Sequence, residues 1–311
     1  MQTRPRIVFM GTPDFAVASL DAIHRAGYPI AGVITAPDKP AGRGMQLMES
    51  AVKKFAREHD LRVLQPAKLK DPAFLEELRA LAPDLQVVVA FRMLPEVVWS
   101  LPPMGTINLH GSLLPDYRGA APINWAIING ETETGVTTFQ LKQDIDTGNI
   151  LMQESVSIGP TETAGELHDR MKEIGARLLV RTIAGLAAGT LRERPQPNPA
   201  IPKHAPKIFT ETCRIDWTRP TSVVYDLIRG LSPSPAAFTE FNGKTLKIFR
   251  AEKDPDGAAA VPGLPDTDNR SYLRFATADG YIRVTELQLE GKKRMKTEEF
   301  LRGYQPRARG S

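Results

Sequence analysis

The first half of the chain alternates short apolar runs with amphipathic ones. RIVFMGT and PIAGVITA have strand length, and LQVVVAF is apolar throughout, as a strand buried on both faces must be. Residues 13–27 carry apolar positions at helical spacing, with Phe15, Leu20 and Ile23 directed to a core and Gly27 as the stop. Helices over 50–59 and 72–81, with RVLQP as a short strand between them, continue the alternation. This order predicts a mostly parallel sheet covered by helices on both faces, a doubly wound α/β domain. TGVTTFQLK and GNILMQESVSI read as two further strands, and 161–188 as a long helix with polar residues from Thr161 to Glu166 at its start.

The pattern breaks at Thr190. TLRERPQPNPAIPKHAPK has prolines at 195, 197, 199, 202 and 206 and no apolar period, so it predicts an extended connector outside any sheet. Beyond it, PTSVVYDLIRGL reads as a helix. AAFTEFNGKTLKIFRA and YLRFATADGYIRVTEL read as hairpins turning at Asn-Gly and Asp-Gly. Short antiparallel strands in so short a region predict a small β-barrel of the OB type. The expected division is a domain over 1–189, a linker over 190–206 and a β-barrel domain over 207–311.

Composition and charge narrow the function classes. No apolar run is long enough to span a bilayer, and the N-terminus enters a strand without the apolar stretch of a secretory signal. The single cysteine, Cys213, excludes an intrachain disulfide and a Cys-rich metal site. These features predict a cytoplasmic protein that needs no membrane and no partner copy, so a monomer suffices. The net charge is +4: residues 1–206 hold 22 basic and 22 acidic side chains, and residues 207–311 hold 18 and 14. The excess lies wholly in the C-terminal part, where a polyanion would find it.

The candidate chemistry sits in INLHGSLLPDYRGAAPINW, residues 107–125. Asn108 and His110 stand two apart on a strand, so their side chains share a face. Gly111 and Pro115 end the strand there, and open α/β sheets bind ligands at such ends. Asp146, in QDIDTGNI, lies in a turn between two predicted strands and can reach the same crevice. An Asn, a His and an Asp suit transfer of an acyl or formyl group to an amine. The amide and imidazole donate to the carbonyl oxygen, and the carboxylate accepts the amine's proton. No nucleophilic Ser or Cys is required, and no metal is expected. Ser112 lacks a G-x-S-x-G elbow, and FMGTPDFA lacks the G-x-G-x-x-G of a nicotinamide enzyme. A non-catalytic RNA-binding protein is the remaining class.

These same residues, with DIDTGNIL, VFMGTPDFA, TAPDKPAGRG, IRGLSPSPAAFTEFNGKTLKI and LQLEGKKRMKTEEFLRG, resemble the folate-dependent formyltransferases along nearly the full chain. The likeness is specific to those that act on methionyl-tRNA. The resemblance implies a Rossmann-like catalytic domain with Asn108, His110 and Asp146 catalytic. It implies 10-formyltetrahydrofolate as formyl donor, held near Phe91, Arg92, Met93 and Leu94, near Ser112, Leu113, Leu114 and Pro115, and near Asp144. The implied acceptor is the α-amino group of methionine on initiator tRNA, which serves translation initiation. Lys39 and Arg43 would reach its acceptor end, and Lys292, Lys293, Arg294 and Lys296 its stem. A sugar N-formyltransferase would share the catalytic trio without needing the basic barrel. Arg118 has no assigned role. The family pattern carries Trp where Ser234 stands and Gly where Ala236 stands.

Overall fold

The computed structural model describes residues 4–41, 46–144, 146–198, 200–201, 203–254 and 261–303. In chain order the elements begin β1 (Ile7–Gly11), α1 (Asp14–Arg25), β2 (Ile30–Ile34), β3 (Lys39–Ala41), β4 (Gln46–Met48) and α2 (Ala51–Glu58). Next come β5 (Val63–Leu64), α3 (Pro72–Ala80), β6 (Leu85–Val89), α4 (Glu96–Trp99), β7 (Thr106–His110) and β8 (Arg118–Gly119). Then α5 (Pro122–Ile128), β9 (Glu133–Gln140), β10 (Ile150–Ser157) and the long α6 (Ala164–Ala187). The chain forms two compact units, one of Met1–Gly119, Gly135–Val156 and His168–His204, the other of Ala120–Thr134, Ser157–Leu167 and Ala205–Ser311.

The first unit carries a seven-stranded sheet in the order β10-β9-β7-β6-β1-β2-β5. β5, β2, β1, β6 and β7 run parallel, and β9 is antiparallel to β7. Strand order reverses between β1 and β6, which opens a crevice at their C-terminal ends. The predicted core residues Phe15, Leu20 and Ile23 are buried. One face of the sheet packs Val8, Met10, Ile34 and Val88 against Phe74 and Leu78 of α3. Gly11 allows α1 to approach: a Cβ there would lie 2.6 Å from that of Ala16. The predicted helix starts are capped, Ser50 accepting from the Lys53 N–H at 3.0 Å and Asp71 from that of Ala73 at 3.0 Å.

Two sequence expectations change. APDKPAGRG, the basic segment expected to reach the tRNA acceptor end as a flexible loop, contributes β3 to an antiparallel pair with β4, with Lys39 opposite Met48. Strands of three residues are too short to display alternation. The proline-rich segment is extended as expected but is stitched to sheet strands, because each proline removes only its own N–H. Arg194 exchanges two backbone bonds with Ile150, at 2.7 and 2.8 Å, and Lys203 C=O accepts from Tyr117 N–H at 2.7 Å.

The second unit adds β11 (His204–Ala205), α7 (Thr210–Cys213), α8 (Thr221–Leu231), β12 (Ala237–Phe241), β13 (Lys244–Asp254), β14 (Pro265–Thr267), β15 (Leu273–Ala276), β16 (Tyr281–Leu289), β17 (Met295–Lys296) and α9 (Thr297–Gly303). It is the expected small antiparallel domain, a half-barrel in the order β12-β13-β16-β15-β14 with β17 on β16. Irregularities around Arg250 bend β13, as a curved wall requires. α8 buries Val224, Ile228 and Leu231 at i, i+4 and i+7 against this sheet's core. Within that core Trp217 stacks on Phe275 at 4.7 Å while its Nε1–H donates to Thr239 at 2.9 Å.

The departure at Ala236 has a conformational cost. Ala236 is 2% exposed and has φ of 75°, a left-handed backbone that glycine adopts freely. Alanine there costs about 1–2 kcal/mol, against about 0.5–1 kcal/mol of chain entropy that glycine would lose on folding. Ala236→Gly should therefore raise unfolding stability by roughly 0.5–1 kcal/mol in denaturant melts; a loss would contradict this reading.

Candidate active site

The pleat of β7 decides which side chains reach the crevice. Leu109 turns towards α6, where a Cβ added at Gly175 would lie only 2.9 Å from Leu109 Cδ2. Asn108 and His110 face the other way. They share that face with their partners on β9, Phe139 and Thr137. The Asn108 amide makes no hydrogen bond among the described residues, so its donors remain available.

His110 is fixed by one strong constraint. Its Nε2 lies 2.9 Å from the Tyr117 carbonyl oxygen, and a carbonyl only accepts, so Nε2 carries a proton. The other ring nitrogen, Nδ1, lies 3.9 Å from Asp146 Oδ2, beyond direct hydrogen-bond reach but close enough for one atom to bridge. The His110 and Asp146 side chains are only 9% and 12% exposed. Asp146 Oδ2 accepts the Gly119 N–H at 3.0 Å, which aims the carboxylate. The backbone around the site is tense: Ala90 after β6, Tyr117 and Asp146 have φ of 46°, 60° and 54°. Each such residue costs about 1–2 kcal/mol, and strain of this kind gathers where geometry serves function.

A buried threonine holds the segment after β7. Thr137 Oγ1 donates to Ser112 C=O at 2.7 Å and accepts from Leu114 N–H at 3.1 Å and Gln153 Nε2 at 3.0 Å. Its one donor and two acceptor positions are thereby filled. Ser112 is fully buried and donates to Asp116 C=O at 2.6 Å. Half-buried Leu113 packs against Gly135, where a Cβ would come within 2.5 Å of it. Leu114 is buried with Phe139 and Ile150, and Pro115 follows it through a cis peptide.

The remaining expected contacts are unequal. After β6, half-buried Phe91 packs against the core cluster that contains Leu94. The Arg92 guanidinium is engaged by the Ala67 and Pro66 carbonyls and lies 5.5 Å over Phe91. Met93, 69% exposed, is the side chain of this segment open to a ligand, and Asp144 is exposed on its loop. Lys39 is exposed on β3, and Arg43 lies outside the described residues. Lys292 and Lys296 are exposed with no ion pair among the described residues, and Lys293, 78% exposed, meets Glu299 at 3.4 Å. Arg294 is occupied: it forms two 2.7 Å bonds to Glu286 and stacks on Phe249 at 4.2 Å. That pairing holds the Glu286 carboxyl below its usual range.

Sequence reasoning missed Tyr117, Gly119, Thr137, Gln153 and Gln196. The last receives the Arg118 guanidinium, Nε at 3.1 Å from Gln196 Oε1. One surface group among the described residues, Asp14, His168 and Asp169, brings metal-type ligands together. The Lys172 ammonium already bridges its carboxylates, at 3.2 and 3.0 Å, and this pairing lowers the Asp169 carboxyl from its usual range.

Comparison with known proteins defines the class first. Residues 5–183 match the family described as formyl transferase, and residues 207–305 that described as formyl transferase, C-terminal domain. A methionyl-tRNA formyltransferase of Bacteroides fragilis is 52% identical over 307 residues, 96% of this chain and 95% of that one. One from Parabacteroides distasonis is 55% identical over 309 residues, with the same coverage. The chain belongs to the methionyl-tRNA formyltransferase family. Among solved structures, HypX from Aquifex aeolicus in complex with tetrahydrofolic acid is 18% identical with a TM-score of 0.67, and the match covers 96% of this chain but 47% of HypX. This chain thus spans about half of that protein. WlaRD, a sugar 3N-formyl transferase solved with dTDP and 5-N-formyl-THF, is 19% identical with a TM-score of 0.68, covering 94% of this chain and all of that one. At such identities the likeness is one of fold.

Thr137→Val keeps the shape of the hub but leaves Leu114 N–H and Ser112 C=O unpartnered. It should lower unfolding stability by about 3 kcal/mol in urea melts. A loss under about 0.5 kcal/mol would show that the hub does not hold the segment.

Proposed function

We propose that this protein transfers the formyl group of 10-formyltetrahydrofolate to the α-amino group of methionine on initiator methionyl-tRNA, in the cytoplasm and as a monomer. Residues 1–189 carry the chemistry, 207–311 bind tRNA, and 190–206 join them. The reading rests chiefly on the approach of His110 Nδ1 to Asp146 Oδ2 at the end of β7, with Nε2 already committed to Tyr117. The Bacteroides fragilis and Parabacteroides distasonis relatives, 52% and 55% identical, carry the corresponding name.

The residues fit a pterin-bearing donor. Met93 and Phe91 offer an apolar ledge after β6, and backbone groups beside Asp144 suit a ring with donors and acceptors along one edge. When bound, the folate supplies the formyl carbon on its N10 nitrogen. Asn108 donates its amide hydrogens towards the formyl oxygen, where negative charge develops as the amine attacks. Protonated at Nδ1, His110 adds a second donor from the same face. Asp146 would take the proton that the amine loses when its nitrogen bonds the formyl carbon, directly or through one water; as the bond from the formyl carbon to N10 breaks, a proton would be returned to N10 and tetrahydrofolate would leave neutral. An α-amino group titrates at about 7.7–8.0, so only modest base assistance is needed. Exposed Lys292 and Lys293 would attract the tRNA phosphates, and exposed Lys39 on β3 would reach the acceptor end.

A sugar N-formyltransferase is the second reading, prompted by structural neighbours of about this size. Incubation with 10-formyltetrahydrofolate and Met-tRNA decides between them: formyl-methionine should form, and consumption of a nucleotide sugar instead would reject the proposal. His110→Ala should cut turnover about 10²–10⁴-fold, with tRNA affinity within about twofold. Unchanged turnover would remove His110 from the catalytic machinery, whereas a non-catalytic RNA binder would form no formyl-methionine with or without the substitution. Lys292→Ala with Lys293→Ala should weaken tRNA binding about tenfold and reduce its logarithmic salt slope by about 1–2. An equal fall in turnover at saturating tRNA would overturn the assignment of these lysines.

A further inference from the structure

Gln196 sits in the proline-rich segment that the sequence offers as a mere connector, yet its amide touches the catalytic loop. Its Nε2 donates to Asp146 C=O at 2.7 Å and to Gly148 C=O at 2.8 Å. Its Oε1 accepts the Arg118 guanidinium, with Nε at 3.1 Å and Nη2 also in contact. The orientation of this amide is dictated by its partners. A guanidinium can only donate and carbonyls can only accept, so Oε1 must face Arg118 and Nε2 must face residues 146 and 148.

The circuit closes on the carboxylate. Gly119, the neighbour of Arg118, gives its N–H to Asp146 Oδ2 at 3.0 Å, and the same oxygen faces His110 Nδ1 at 3.9 Å. Asp146 adopts a φ of 54°, which the chain does not favour without outside bonds. The loop has no slack at its end either, since a Cβ at Gly148 would lie 1.6 Å from Gln140 C=O. Gln196 is itself presented stiffly. Pro195 precedes it and Pro197 follows it, and a residue before proline is confined to extended backbone. Its flanking prolines are exposed while Gln196 is half-buried.

We propose that Gln196, oriented by Arg118, is a positioning residue that clamps the backbone of Asp146 and so sets its carboxylate against His110. This rests on the formyl-transfer reading of Asp146. Arg118 thereby acquires a role, because its guanidinium fixes the amide rather than meeting substrate.

Gln196→Glu separates this role from packing. The substitution keeps shape and the bond to Arg118 but turns an oxygen towards the two carbonyls. Turnover at saturating substrates should fall about 10–100-fold, with both KM values within about threefold. In the protein without substrates, hydrogen exchange at the Gly119 amide should speed up about tenfold, because its acceptor is no longer held. In an Asp146→Ala background, Gln196→Glu should cost less than about twofold of the residual turnover. Gln196→Met, which removes donor and acceptor together, should behave alike and serves if the charged variant does not fold. Unchanged Gly119 exchange, or a loss in the Asp146→Ala background as large as in the parent, would overturn the proposal. A silent Gln196→Glu beside an inactive Asp146→Ala overturns it alone; full turnover in Asp146→Ala overturns the reading of the site and this proposal with it.

Discussion

The hydrogen bond between His110 Nε2 and the Tyr117 carbonyl fixes the orientation of the imidazole on which the proposed chemistry of the first unit depends. It commits one ring nitrogen to structure and leaves the other, Nδ1, as the face presented to Asp146. An imidazole free to flip would offer either nitrogen and would need to be reset in each cycle. The bond exists because the chain doubles back after β7, through Pro115 and a left-handed Tyr117, to lay its own carbonyl beside the ring. Thr137 holds the intervening segment from β9 by filling its hydrogen-bond capacity with groups of Ser112, Leu114 and Gln153. Strand pairing, turn and ring orientation are thus one mechanical unit.

The two units rely on different physics. In the first, parallel strands stop along one edge, and residues at or just after those ends converge: Ala90 after β6, His110 on β7. Strained backbone there is tolerated because a largely buried sheet, with β1 and β6 buried throughout, stands behind it. In the second, a core is built on Trp217, Phe275 and α8, and the sequence over residues 207–311 holds four more basic than acidic side chains. Not every cation there is available. Arg294 spends its charge on Glu286 and Phe249, whereas Lys292 keeps its own for solvent.

Much of this architecture was legible in the chain because periodicity and capping agree. Ser50 and Asp71 announce helices that begin where expected, and the apolar run at 85–89 becomes a fully buried parallel strand. The spacing of Asn108 and His110 was enough to place them on one face. What stayed hidden is what sequence distance conceals. Thr137 looks like any strand residue until Ser112 and Leu114 are folded against it. Gln196 lies among prolines that read as spacer, fifty residues from the carbonyl of Asp146 to which it bonds. The β3–β4 pair is too short to show a pattern. Ala236 was visible only as a departure, and its left-handed backbone supplies the reason glycine suits that position.

The proposed role of His110, working through Nδ1 while Nε2 is held by Tyr117, can be read directly. The chain has five histidines, few enough for each imidazole to be followed by nitrogen-15 NMR across a pH titration. His110 Nε2 should stay protonated throughout, with Nδ1 the nitrogen that gains and loses a proton. A neutral His110 carrying its proton on Nδ1, with Nε2 free, would contradict this.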